Sequence, residues 1–200
     1  MIRVGRLFHA LILAAGLVGG STVAWPCGYE DPSSASTARG ILNFVYPDAL
    51  HVATAIWNAQ QQGVIGRDER PAAIKTLLGY HKAVQRLGVF RDSLSAAVDG
   101  GSMPAISIVF IEPMLWTRYE LAGVTLNMTP HVDGPANGDV VIVTDEFVVA
   151  ALNEGQITPQ AARKLGLMRI YGSPTAVQDV VSWLDRVSLR TNARAAALDD

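Results

Sequence analysis

Three histidines, one cysteine and four methionines are the side chains past the first 24 residues from which a metal or redox site could be built: His51, His81, His131, Cys27, Met103, Met114, Met128 and Met168. The histidines lie at least 30 residues apart in sequence. Metal ligands need to meet in space rather than in sequence, so this spacing neither assembles a three-histidine site nor forbids one. The periodicity puts His81 on the apolar stripe of a helix, where a hydrogen-bonded core histidine is the commoner case, and lets His51 face water. The methionines fall in or beside strands, where thioethers fill gaps in a core more often than they bind copper. A single cysteine makes no internal disulfide, so Cys27 is buried, capped or paired with a partner. With no histidine close in sequence it makes a poor redox or metal-binding arm.

Two further groupings bear on chemistry. Asp145 and Glu146 are an acidic pair, but neighbouring residues on a helix point apart, and carboxylates at a helix start are accounted for by the helix dipole. In Trp116-Thr117-Arg118-Tyr119, strand alternation puts Trp116 and Arg118 on one face and Thr117 and Tyr119 on the other. An arginine beside a tryptophan can hold an anionic head group under an aromatic wall; its plainer use is an arginine stem lying over the ring. GxGxxG, P-loop, CxxC, HExxH and GxSxG motifs are all absent, so no residue signature points to an enzyme.

The stretch that must organise these residues runs from Gly138 to Gly172. Val140 to Val143 is a β-branched run that reads as a strand buried on both faces. Thr144 stands at a helix N-cap position, with Asp145 and Glu146 in the first turn and Phe147, Val148, Ala151 and Leu152 as the apolar stripe. Gly155 stops this helix. Thr158 caps a second, with Pro159 at its first position and Gly166 at its end. Leu167 to Tyr171 is again a strand, closed by Gly172.

This order of residues, T-D-E-F, then E-G-Q-I-T-P-Q-A-A, then G-L-M-R-I-Y-G, resembles the C-terminal half of the sterol carrier protein type 2 family. Asp145, Phe147, Gly155, Ile157, Pro159, Ala162, Gly166, Ile170 and Gly172 occupy matching places. The likeness covers about the last third of the chain, and Ala105 to Pro135 loosely. It implies a hydrophobic tunnel between a sheet and its helices that takes lipids or other apolar ligands. That family leads with a single helix; the longer N-terminal part of this chain is left unassigned.

Residues 1–24 carry Arg3 and Arg6, an apolar run from Leu7 to Val18 and small residues up to Ala24, the layout of a secretory signal peptide with cleavage after Ala24. The apolar run is short for a membrane span. Trp25 and Pro26 stand where a lipidated Cys27 would want small residues. In a Gram-negative organism the destination is the periplasm. The whole chain has net charge −2; cleavage removes two arginines and no acid, leaving 14 basic against 18 acidic residues, or −4. This balance disfavours nucleic acid and anionic membranes as partners. Half the chain is hydrophobic and 17% charged, enough for one core.

Residues 25–38 read as a flexible lead-in, rich in Pro, Gly and Ser. From 39 to 99 the periodicity is helical: a first piece to about Val45, a restart at Pro47-Asp48 that ends at Gly63, and another helix from Pro71, with Gly88 as a break or kink. Together these are expected to form a helical hairpin. Strands follow at Ala105 to Ile111, Leu115 to Leu121 and Val124 to Val132, the last demoted to an edge by Pro130. A final helix starts at Ser173-Pro174, and residues 191–200 read as a flexible tail.

The expected fold is a single α+β domain over 39–190. A mainly antiparallel sheet of about five strands carries helices on one face, and a helical hairpin precedes it. The sterol-carrier-like part spans 105–190. The expected function is that of an exported, non-catalytic protein that binds or carries a hydrophobic small molecule or lipid. Its pocket is assigned to Phe110, Trp116, Arg118, Met128, Phe147, Met168 and Trp183, with no cofactor. The other expectation is an accessory protein that docks a partner in a periplasmic redox or copper pathway through the helical hairpin.

Overall fold

A computed structural model describes residues 27–67, 77–98, 103–123 and 125–196, with side chains to Val187. The signal peptide and the Pro71 helix start lie outside the described residues. Among the described residues six helices and five strands follow in the order α1 Pro32–Val45, α2 Ala49–Gln61, α3 Leu77–Ala96, β1 Ile106–Phe110, β2 Leu115–Ala122, β3 Thr125–Pro130, β4 Val140–Thr144, α4 Glu146–Asn153, α5 Pro159–Lys164, β5 Arg169–Tyr171 and α6 Pro174–Ala196.

The sheet has the strand order β3-β2-β1-β4-β5. It is mixed, not mainly antiparallel: β1 and β4 run parallel at its centre, with Ile108 opposite Ile142, while the other pairs are antiparallel. Both central strands are buried along their whole length, which is why their sequences run apolar without alternation. β3 is an edge strand, as Pro130 requires.

The helices do not share one face. Register puts Tyr119, Thr117, Ile106, Ile108, Phe110, Ile142 and Thr144 on one side of the sheet, and Trp116, Arg118, Ser107, Val141 and Tyr171 on the other. α3 covers the first side, where the Tyr119 hydroxyl donates to the Leu87 carbonyl at 3.0 Å; α4 and α6 pack against α3 there. α1 and α2 cover the second side. Tyr46, at the end of α1, stacks its ring 6.2 Å from Trp116 and 4.9 Å from Tyr171, and α2 packs on β4. The expected hairpin is thus split, with the sheet lying between α1–α2 and α3. A strand pair apolar on both faces needs helical cover on both, and the extra N-terminal helices supply it.

Local corrections have local causes. The lead-in is already helix from Pro32, because Asp31 accepts from the Ser33 and Ser34 amides and Pro32 sits in the first turn. α3 runs through Gly88 without a break, since Leu87, Phe90 and Leu94 bury its stripe. That stripe excludes His81, Leu77 and Leu78, which are exposed. Asp145 rather than Thr144 is the cap of α4; the Thr144 hydroxyl instead donates to the Leu167 carbonyl at 2.9 Å and ties β4 to the approach to β5. The expected tail is helical to Ala196. Gly63, Gly155 and Gly166 have positive φ and end their helices as the spacing predicts.

Candidate functional site

Five of the seven assigned pocket residues lie on the Tyr119 side of the sheet. Phe110 and Met128 face it from β1 and β3 by register. Phe147 belongs to α4 and Trp183 to α6, the helices of that layer. Met168 stands just before β5, two positions from Ile170, which pairs with Ile142 on that side. Phe110, Met168 and Trp183 are buried, and Met128 and Phe147 half-buried. The structure does not bring Trp116 and Arg118 to them: both lie across the sheet.

On that opposite side Arg118 is fully engaged. Its Nε donates to Asp139 Oδ2 at 2.8 Å and its Nη2 to Oδ1 at 3.1 Å, while Nη1 lies 2.5 Å from Glu120 Oε1. Ser107 Oγ and the Ala136 amide also donate to Asp139 Oδ2, at 2.6 and 3.0 Å. Burial would raise the Asp139 carboxyl, but the bonds from Arg118, Ser107 and Ala136 outweigh it and hold the group below its ordinary value. The same pair raises the Arg118 guanidinium, chiefly through the hydrogen bond to Asp139. A guanidinium already met by two carboxylates has no charge to spare for an anionic head group. The sequence shows Asp139 only as a turn residue; its side-chain partners Arg118 and Ser107 lie 21 and 32 positions away, beyond any local signal.

The apolar layer around Phe110 and Trp183 contains two polar atoms of a different kind. Thr117 Oγ1, from β2, and Trp183 Nε1, from α6, are wholly buried and have no hydrogen-bond partner among the described residues. Leaving such a group unpaired costs on the order of 1–3 kcal/mol, so each marks a place where a polar atom of another molecule would be stabilising.

Cys27 is buried at the start of the described chain and takes part in a packed arm. Gly28 comes so close to the turn after β1 that a Cβ there would stand 3.1 Å from the Pro113 carbonyl oxygen. Its own amide donates to that oxygen at 2.6 Å. Arg39 donates to the Glu112 carbonyl, and the Glu112 amide donates to Asp145 Oδ2 at 3.2 Å. Tyr29 donates to Glu146 Oε2 at 3.1 Å, and Arg86 lies 3.6 Å from the other oxygen. Burial first, and Glu146 second, push the Tyr29 phenol far above its usual range. Glu146 therefore holds the arm against α4, a structural role, while Asp145 holds the turn. His131, with φ 58°, has its Nε2 3.6 Å from Glu30 Oε2. His51, His81 and His131 are all exposed, and no group of three or more His, Cys, Asp or Glu among the described residues is placed to hold a metal ion.

No protein-family model matches the chain, and no curated protein matches it. Solved structures do. Sterol carrier protein 2 aligns over 54% of this chain and 94% of its own, at 15% identity and a TM-score of 0.37. A ubiquinone synthesis protein, UbiJ-SCP2, aligns over 55% of this chain and 93% of its own, at 13% identity and a TM-score of 0.33. The inverting sec-alkylsulfatase Pisa1 from Pseudomonas sp. aligns over 48% of this chain at 12% identity and a TM-score of 0.36, and the aligned part is 14% of that enzyme. Two of these three are, by their names, of the kind that the C-terminal residues resemble, and the aligned share is about half of the present chain. Likeness at this level attaches no ligand and no reaction to it.

Proposed function

We propose that this chain is an exported, non-catalytic protein that binds a predominantly apolar small molecule carrying one polar end, such as a lipid. The ligand would lie in the helical layer on the Tyr119 side of the sheet, among Phe110, Met128, Phe147, Met168 and Trp183. The observation that carries the reading is that Thr117 Oγ1 and Trp183 Nε1 are buried in a mainly apolar layer without a hydrogen-bond partner among the described residues. Binding sites for such ligands are mainly apolar with a few placed polar groups, and the pair fits that description. Trp116 and Arg118 drop out of the proposed site because the sheet separates them from it. Export is supported by Arg3, Arg6 and the apolar run that follows them. N-terminal sequencing of the exported protein is expected to begin at Trp25; a protein that keeps Met1 to Ala24 in a membrane fraction would remove export from the proposal.

Binding is tested by Met168→Trp, which adds bulk to the layer. Melting temperature and binding of a fluorescent fatty acid are measured for both proteins. If the layer opens for a ligand, the new ring takes the ligand's space, stability holds or rises, and probe binding falls. In a closed core the same change overpacks and costs about 1–3 kcal/mol. Destabilisation of that size, with no probe bound by the unsubstituted protein, would overturn the proposal.

A further inference from the structure

The outer surface of α1 and α2 is apolar although it faces away from the sheet. Phe44 is 89% exposed, Leu50 61%, Trp57 60%, Val45 54% and Ile41 48%. These residues are not the inner stripes of their helices, which are Ala35, Ala38 and Leu42 in α1 and Ala49, Val52, Ile56 and Ala59 in α2. Both helices are thus apolar on two sides, the pattern of elements covered on two sides rather than of surface helices. Exposed single apolar residues are ordinary; five large ones on two consecutive, mutually packed helices are not.

The charge around them says what kind of surface they match. α2 contains no Asp, Glu, Lys or Arg. Between Pro32 and Gln61 the fixed charges are Arg39, bonded to the Glu112 carbonyl, and Asp48, 3.7 Å from Arg169. Neither is fully exposed. The exposed remainder is Phe, Trp, Ile, Leu and Val set among Ser, Thr, Asn, Gln and His. The charges at its margin are already engaged within the chain, Asp48 with Arg169 and Asp31 with the Ser33 and Ser34 amides, so a charged partner finds little there to pair with. A zwitterionic bilayer surface offers what this side can use: hydrocarbon for Phe44 and Leu50, and the headgroup boundary for the Trp57 ring.

We propose that the outer face of α1 and α2 docks on an uncharged or zwitterionic lipid surface. The inference is independent of the ligand reading, since the sheet separates this face from the layer containing Trp183.

The test uses the full chain with an environment-sensitive fluorophore on a thiol introduced by Thr54→Cys, between Leu50 and Trp57 on the outer side of α2; Cys27 is buried and does not compete. A second sample carries the fluorophore through Gln85→Cys, on exposed α3 across the sheet. With phosphatidylcholine vesicles the label at position 54 is expected to shift to the blue and to be quenched by spin-labelled lipid, at low and high salt alike. The label at position 85 is expected to stay unchanged. Adding Phe44→Ser and Trp57→Ser, both at exposed positions, should abolish the shift and leave the melting temperature in place. Four outcomes would overturn the proposal: no shift at position 54; vesicle binding through another segment with position 54 silent; a shift that needs anionic lipid and vanishes in salt; or a shift that grows with protein concentration without vesicles, which would assign the face to a second copy of the chain.

Discussion

Arg118 grips both carboxylate oxygens of Asp139, at 2.8 and 3.1 Å, across the mouth of the loop that joins β3 to β4. The pair fixes Asp139 at the entry to β4, and Ser107 and the Ala136 amide complete its shell. Replacing Asp139 by Asn removes the charge and is expected to cost about 1–3 kcal/mol, because a largely buried charge-assisted network loses one of its two acceptor oxygens to an amide donor while Arg118 keeps Glu120. Denaturant melts of both proteins at neutral pH measure it.

The same pair has a pH signature. The Asp139 carboxyl is held below its ordinary value of 3.8, so its folded value lies under its unfolded one. Its stabilising contribution is complete above the unfolded value, near pH 4, and is lost as pH falls through the depressed folded value. The stability gap between the unsubstituted protein and Asp139→Asn should therefore be constant from pH 7 to about 5 and close in stronger acid. A gap that widens in acid would contradict the assignment.

Thr117→Val separates a ligand contact from a packing group. The hydroxyl is buried without a partner among the described residues, and valine has nearly the same shape. Stability is expected to hold or rise by up to about 1 kcal/mol, while binding of a fluorescent fatty acid weakens. A stability loss above about 2 kcal/mol would mean that the hydroxyl is satisfied within the fold.

Tyr119→Phe gives the contrary result. Its hydroxyl donates to the Leu87 carbonyl at 3.0 Å, and the residue is fully buried between sheet and α3. Losing that bond leaves a buried carbonyl short of a donor, with an expected cost of about 1–2 kcal/mol in thermal or denaturant melts.

Gly166→Val is expected to cost more than Pro159→Ala. Gly166 has φ 77°, which a β-branched side chain resists, for a cost of order 1–3 kcal/mol, although the space around its Cβ position is adequate, with Ala55 Cβ at 3.6 Å. Pro159 stands at the first position of α5, where its ring restricts mainly the unfolded chain; the substitution costs about 1 kcal/mol, part of it from the ring's burial. Paired thermal melts order the two.

Elements with local signals were legible in the amino-acid order. The Val140–Val143 run, the Thr158-Pro159 start, the glycine stops at Gly63, Gly155 and Gly166 and the edge character conferred by Pro130 each follow from the backbone preferences of a few adjacent residues. Alternation likewise put Trp116 and Arg118 on one face and Thr117 and Tyr119 on the other. Which face met which helix was settled by long-range packing. The parallel pairing of β1 with β4 joins strands 34 residues apart in register, and no short-range preference encodes it. Cover on both faces follows from that pairing, because two apolar central strands each need helices above and below. The position of α1 and α2 across the sheet from α3 then divides the seven assigned pocket residues, and it turns Arg118 from a ligand contact into the partner of Asp139. Such pairings depend on which distant segments pack together, a choice made by burial of the whole core rather than by any one stretch of chain.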